Sequence, residues 1–272
     1  MEKQTGAENG GQSLLEQYYA SHDEEGRLLS QHGQVEYLTT MKYIRRCLSG
    51  VSEPTILEVG AGTGRYSVAL AREGFSVTAV ELVAHNLEIL KAKLDGTEPI
   101  TVLQGNALDL SALPAEAFDL TMVLGPMYHL YTRADKRQAL SEAVRVTKPG
   151  GFLLVAYCMS DPTVVQYVFG ANHLREVLDK NLILPDWHCA SDPAELFDLV
   201  RTEDIASLDA ELPVERILLA ATDGATHYRR DLIDAMDRET FGKWLEYHFA
   251  VCERQDLIGA SHHTLDVLRK RL

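Results

Sequence analysis

The stretch Thr55-Ile56-Leu57-Glu58-Val59-Gly60-Ala61-Gly62-Thr63-Gly64 constrains this chain more than any other. An apolar, partly β-branched run that ends at glycines reads as a buried strand. Glycines at alternate positions permit a tight turn and let a ligand lie against bare backbone. A helical pattern follows from Tyr66 to Glu73, and the free N–H groups at its start favour a carboxylate or phosphate. Strand, glycine turn and helix in that order open a parallel sheet suited to a nucleotide-like ligand. The spacing is G-x-G-x-G, whereas the dinucleotide dehydrogenase fingerprint is G-x-G-x-x-G, which disfavours an NAD-dependent oxidoreductase.

The pattern continues in the same style. Phe75 to Val80, Ile100 to Leu103, Asp119 to Leu124 and Phe152 to Tyr157 read as further short strands. Helical stretches at Ala84 to Leu94 and Asp135 to Val146 separate some of them. Strands alternating with helices predict an α/β fold with both faces of the sheet covered. Upstream, helices are expected from Ser13 and over Gln34 to Leu48, forming a cap at 13–50, after a disordered lead-in at 1–12. Downstream, Ser160 to Ile183, Pro193 to Thr202 and Asp231 to Arg254 read as helical, and Val214 to Ala220 and Thr264 to Leu268 as strands. The segments 160–205 and 225–260 are the expected lids, and residues 13–272 are expected to make one domain.

Charge narrows the partners. Lys and Arg number 26 against 40 Asp and Glu, a formal charge of −14. Such a chain repels a polyanion unless its basic residues gather on one face, so a small molecule is the expected partner rather than nucleic acid. No run of apolar residues reaches the length of a membrane span, and the first residues lack a signal-peptide pattern, which gives a cytoplasmic expectation. The four cysteines, Cys47, Cys158, Cys189 and Cys252, form no C-x-x-C pair and read as reduced thiols. His188 beside Cys189 is poor spacing for a metal, so no metal is expected. Oligomeric state is left open.

Glu81 closes the second strand about 20 residues beyond Gly60, where an acid accepts hydrogen bonds from ribose hydroxyls. Further segments follow in order: Gln104-Gly105-Asn106-Ala107, Phe118-Asp119-Leu120-Thr121-Met122-Val123-Leu124, and Lys148-Pro149-Gly150-Gly151-Phe152-Leu153-Leu154. Together with the glycine turn and Val77-Thr78-Ala79-Val80-Glu81, these resemble class I S-adenosylmethionine (SAM)-dependent methyltransferases over about 55–157. The resemblance implies a doubly wound, seven-stranded Rossmann-like sheet whose last strand is antiparallel, with SAM as cofactor. It places Glu58, Gly60, Ala61, Gly62 and Gly64 at the methionine part of SAM and Glu81 at the ribose, with Leu82 and Leu124 also beside the cofactor. Asn106 stands where the family usually has Asp, and its side-chain oxygen still accepts a hydrogen bond from the adenine amine. Ala107 would add a backbone N–H. The N-terminal helices of similar enzymes fold over the cofactor, which brings in Tyr18, Tyr19, Arg27, Glu36 and Thr39, with Arg27 a partner for the methionine carboxylate.

In similar enzymes the methyl acceptor lies beyond the fourth strand, here Leu124-Gly125-Pro126-Met127-Tyr128-His129-Leu130-Tyr131. This segment resembles the Gly-Pro-x-Tyr-His-Leu of bacterial small-molecule methyltransferases rather than the motif of enzymes acting on nucleobase or glutamine amines. Tyr128 and His129 are therefore the catalytic candidates. An antiparallel last strand would begin at the cofactor edge and bring His262 and His263 to the mouth. Tyr167, His173, Trp187, His188, Tyr247 and His248 are candidate lid contacts. The expectation is methyl transfer to O or N of a small molecule. An RNA or protein methyltransferase, or a non-catalytic SAM-binding protein, is the alternative.

Overall fold

The computed structural model describes residues 14–21 and 24–272, so the lead-in expected at 1–12 lies outside the described residues. Three helices come first: α1 (14–21), α2 (Glu24–Arg27) and α3 (Gln31–Leu48). The sheet core alternates β1 (Thr55–Val59), α4 (Arg65–Arg72), β2 (Ser76–Glu81), α5 (Ala84–Ala92), β3 (Ile100–Gln104), β4 (Phe118–Val123), α6 (Arg133–Val146) and β5 (Thr147–Cys158). After it come α7 (Ser160–Thr163), a π-helix over Val164–Gly170, α8 (Leu174–Asp179) and α9 (Thr202–Asp209). The chain closes with β6 (Val214–Ala221), α10 (Arg230–Asp234), α11 (Arg238–Val251), α12 (Gln255–Ile258) and β7 (His263–Lys270).

The strands form one seven-stranded sheet in the order β3-β2-β1-β4-β5-β7-β6. β1 to β5 pair in parallel, and β7 runs antiparallel to both β5 and β6. This is the doubly wound sheet with a reversed last strand that the motifs implied. Alternate residues of β1 point to opposite faces. Leu57 and Val59 join the core with Val123, Leu140, Leu153 and Val155. Ile56 joins the opposite core with Met41, Ile44, Leu70, Leu120 and Leu154. Burial on both faces makes these strands apolar runs, and that is why they were readable.

The outer segments depart from expectation. α3 starts at Gln31, three residues before the apolar pattern begins, because the Ser30 side chain caps it by accepting the Gly33 N–H. The Ser160 to Ile183 helix is broken into pieces, and Asn172 and Asn181 hold left-handed φ of 63° and 55° at the interruptions. The Asp231 to Arg254 helix is interrupted at 235–237, where Asp237 caps α11 by accepting the Thr240 N–H. The helix expected over Pro193 to Thr202 is overturned: residues 193–201 form an irregular strap, and α9 begins at Thr202. Its backbone groups are taken by distant partners instead, with Asp198 N–H donating to the Tyr128 carbonyl and Val200 N–H to that of Cys158. No described helix is long and apolar enough to cross a membrane. Cys47, Cys158 and Cys252 are buried free thiols, and Cys189 is half-buried.

Candidate active site

The C-terminal ends of β1, β2, β4 and β5 and the start of β7 face one edge, where open α/β sheets bind ligands. A cavity of about 930 Å³ occupies that edge. Its lining includes Glu58, Gly60, Ala61, Gly62, Glu81, Leu82, Asn106, Ala107, Leu124, Tyr128, His129, Tyr19 and Arg27. Among the glycine-turn candidates, Gly64 alone lies outside that lining. It ends the turn as the α4 cap with φ 82°, and a Cβ there would stand 2.6 Å from Leu90 Cγ of α5. Its task is close helix packing, whereas Gly62 has φ 54° and open space where a Cβ would go.

The turn is tied to β2 by a carboxylate. Glu81 accepts the Gly62 N–H at 2.7 Å through one oxygen and the Val83 N–H at 2.8 Å through the other. Burial raises its pKa, and these hydrogen bonds oppose the rise. The Asn86 side chain and the Leu82 N–H also approach this carboxylate, which lines the cavity where a ligand hydroxyl would reach it. Asn86 on α5 was missed by the sequence reading; it lines the cavity beside Glu81, and its Oδ1 has no hydrogen-bond partner among the described residues. Asn106 Oδ1 accepts the Leu108 N–H at 3.0 Å, which fixes the side chain at the cavity wall. An adenosine fits this donor and acceptor set: acceptors for hydroxyls at Glu81, and an amide for the base at Asn106.

Glu58 is fully buried at the end of β1. Its Oε2 accepts the Ser67 N–H at 2.9 Å and the Ser67 hydroxyl, pinning the first turns of α4 to the strand. Burial pushes its pKa up to about 8 despite the Ser67 bonds, with the Glu81 charge adding to the rise. The unfolded chain releases this proton near the ordinary value of 4.5. The contribution to stability is therefore complete below that value and is lost as pH rises through about 8. Urea unfolding should show Glu58→Gln losing about 3–5 kcal/mol of this pH dependence. An unchanged pH slope in Glu58→Gln would mean that the carboxyl is ionised in the fold.

Above the turn, Gly60 and Pro126 touch. A Cβ on Gly60 would stand 2.5 Å from Pro126 Cδ, so the glycine turn and the loop after β4 are packed as one piece. That loop is a 3₁₀ turn over Pro126–His129. His129 Nδ1 lies 2.9 Å from the Leu196 carbonyl, and its Nε2 lies 3.1 Å from the Tyr19 hydroxyl. Only a protonated Nδ1 can bond a carbonyl, so Nε2 is the acceptor and Tyr19 the donor. Burial lowers the His129 pKa and keeps the ring neutral. Tyr131 also donates to the Leu196 carbonyl, at 3.0 Å. The strap thus closes over the loop, with Asp198 buried against Lys136 of α6 as an ion pair.

The far end of the cavity is polar. Arg27 donates to both oxygens of Glu36, at 2.8 and 3.2 Å, so the guanidinium expected at a cofactor carboxylate lies on a neighbouring glutamate. Glu36, Asp223, His227, Arg230 and His263 line this end beside Tyr128 and Cys158. His263 sits where the reversed strand was expected to bring it, with Nδ1 at 2.8 Å from Asp223 Oδ2. Burial would lower its pKa, but the Glu36 and Asp223 carboxylates more than offset that and raise it well above the usual histidine value. His262 lies outside this cavity, in the wall of a second one of about 810 Å³ that Tyr167 also lines. The remaining lid candidates line neither: His173 stacks on Tyr167, Trp187 packs on Phe169, and Tyr247 packs on Trp244. His188 pairs with Asp204, and His248 is the buried residue of α11 itself. The sequence reading missed Asp223, His227, Arg230 and Phe197, because no spacing signal joins them.

Known proteins agree with this architecture. Residues 57–155 match the methyltransferase domain family. A ubiquinone biosynthesis O-methyltransferase from Alkalilimnicola ehrlichii is 26% identical over 61% of this chain and 66% of its own length. A demethylmenaquinone methyltransferase from Clavibacter sepedonicus is 30% identical over 43% of this chain and 46% of its own. The chain therefore spans less than two thirds of either relative. A solved phosphoethanolamine N-methyltransferase from Haemonchus contortus, in complex with phosphoethanolamine and S-adenosylhomocysteine, superposes with a TM-score of 0.63 at 14% identity. That match covers 99% of this chain and 50% of the other, and it speaks for the fold. The sheet order, the glycine turn and the match over residues 57–155 thus make this a methyltransferase domain with the class I SAM-dependent architecture.

Proposed function

We propose that the chain transfers the methyl group of SAM to an oxygen or nitrogen of a small molecule. The observation that carries this reading is the shape of the cavity at the sheet edge, with a nucleoside-type cradle at one end and a polar pocket at the other. About 930 Å³ lies toward the upper end of small-molecule sites, room for a cofactor and a modest acceptor together. In this reading Glu81 holds the ribose, Asn106 and the Ala107 N–H hold the adenine, and Leu82 and Leu124 wall the cofactor. Glu58, Gly60, Ala61 and Gly62 bound the methionine part.

SAM supplies a methyl group on a sulfonium that departs as a neutral thioether, so alignment matters more than charge stabilisation. Tyr128 and His129 sit where the two ends of the cavity meet. The neutral His129, held by Leu196 and Tyr19, can accept a proton at Nε2 through the Tyr19 hydroxyl. Closure of the strap and α1 over this point would exclude water. The relative named above for O-methylation supports an oxygen acceptor, and the net charge of −14 speaks against RNA.

The test incubates the purified chain with methyl-labelled SAM and a panel of phenols, hydroxy acids and amines, reading S-adenosylhomocysteine release. Acceptor-dependent turnover that falls in His129→Ala is expected. Tight binding of S-adenosylhomocysteine with no turnover on any acceptor would favour a non-catalytic SAM-binding protein.

A further inference from the structure

Two histidines and two carboxylates converge at the far end of the cavity from segments that lie far apart in sequence. Asp223, just past β6, is 3% exposed and is held from behind. Its Oδ1 accepts the Ser261 hydroxyl at 2.6 Å and the His263 N–H at 3.2 Å. That leaves Oδ2 for two imidazoles: His263 Nδ1 at 2.8 Å and His227 Nδ1 at 3.6 Å. Glu36 Oε2, from α3, stands 3.6 Å from the same His263 nitrogen.

A separation of 3.6 Å is too long for a hydrogen bond, so His227 is not bonded directly to Asp223, nor Glu36 to His263; each is held instead by an arginine, Arg230 and Arg27 respectively. A shared ion would join all four. Ligand atoms each about 2.1 Å from one centre stand roughly 3–3.5 Å from one another. The ligand atoms of Asp223, His227 and His263 all lie within 4.8 Å of each other, close to such a shell before any adjustment. The outer supports are also in place. Ser261 orients Asp223, and Arg27 orients Glu36, as partners of metal-bound carboxylates do. The exposed Arg230 guanidinium donates to His227 Nδ1 at 2.8 Å and must turn outward to free that nitrogen for an ion.

We propose that Glu36, Asp223, His227 and His263 form a binding site for one divalent transition-metal ion, such as zinc or manganese. Two imidazoles and two carboxylates suit those ions better than magnesium or calcium, which favour oxygen alone. The consequence for chemistry rests on the methyl-transfer reading above. An ion here would favour the deprotonated form of an acceptor hydroxyl and so select phenols, enols or hydroxy acids over amines. The hydroxyl proton leaves through Tyr19 to His129 Nε2 and from there to solvent after turnover, the oxygen lone pair bonds the methyl carbon, and the C–S bonding pair stays on sulfur. The products are the methyl ether, S-adenosylhomocysteine and a proton.

The test uses the full, tag-free chain, stripped of metal and titrated with Co²⁺, whose visible absorption reports coordination by nitrogen and oxygen. Zn²⁺ is then added as competitor, and S-adenosylhomocysteine binding is measured on the same samples. One Co²⁺ per chain is expected, with an absorption that Zn²⁺ abolishes. Ser261→Ala should weaken Co²⁺ binding by about 10- to 100-fold, and His263→Ala by at least as much. S-adenosylhomocysteine affinity should stay within about twofold in both variants, since the cofactor cradle is remote from Ser261 and His263. Absence of the cobalt absorption in protein that still binds S-adenosylhomocysteine would overturn the metal site and leave the methyltransferase reading intact. Equal Co²⁺ affinity in wild type and His263→Ala would also overturn it. A cobalt site in protein that binds no S-adenosylhomocysteine would instead sink the methyl-transfer reading and leave the metal site standing.

Discussion

Replacing Glu81 by Ala is expected to weaken S-adenosylhomocysteine binding by at least about a hundredfold. A hydrogen bond to a charged group contributes about 1.5–3 kcal/mol, and two ribose hydroxyls would each donate one. Their joint loss reaches about 3 kcal/mol or more, and about 1.4 kcal/mol is tenfold in affinity. The same substitution leaves the Gly62 and Val83 N–H groups without their acceptor, which loosens the glycine turn and adds to the effect. Glu81→Gln separates the contributions, because it keeps the shape and one acceptor while removing the charge. Calorimetric titration of wild type and both variants, with NADH as control ligand, reads the result directly. Unchanged affinity in Glu81→Ala would move the ribose elsewhere in the cavity.

The second large effect falls on the fold. Lys136→Met should destabilise the chain by about 3–5 kcal/mol, because it strands the Asp198 carboxylate without its partner. The Asp198 side chain is only 2% exposed, and that of Lys136 is 11% exposed, so water cannot replace the lost cation. Asp198 also receives the Ser191 hydroxyl, and its backbone N–H reaches the Tyr128 carbonyl at 2.6 Å. The pair therefore anchors the strap to the loop that carries Tyr128 and His129. Chemical unfolding should show the loss, and the double variant Lys136→Met, Asp198→Leu should recover most of it, as a buried apolar pair replaces a buried ionic one. Equal stability of Lys136→Met and wild type would mean that Asp198 is solvated and the strap open.

The two halves of the cavity differ in how far the sequence shows them. Glu81, Asn106 and the glycine turn were legible because each sits at a fixed step beyond a strand, and strand ends are marked by apolar runs. The seven-stranded sheet with a reversed last strand, which carries His263 to the cavity, came from the family resemblance of these segments taken together and not from the apolar runs themselves. Glu36, Asp223 and His227 carry no such mark. They lie on a helix and a loop whose positions depend on how α3 and the residues after β6 pack over the sheet. The strap was misread because Pro193-Ala194-Glu195-Leu196 has ordinary helical composition. What decides its path is a buried ion pair with Lys136 and cross-loop hydrogen bonds, and neither leaves a periodic trace in the sequence. Gly64 was read as a cofactor contact because the turn is usually taken as a unit, whereas Leu90 sets its requirement.

The sheet order has a consequence for assembly. β6 has a single neighbour, β7, although β6 precedes it in the chain. During synthesis β6 emerges with its hydrogen-bonding edges unpaired and must wait for α11, α12 and β7 before it can join the sheet. A chain cut before β7 would keep the parallel strands β1 to β5 and the whole nucleoside cradle, yet it would lose His263 and the tether of β6. Pairing of the C-terminal strand is thus the event that both seats β6 in the sheet and sets His263 into the cavity wall.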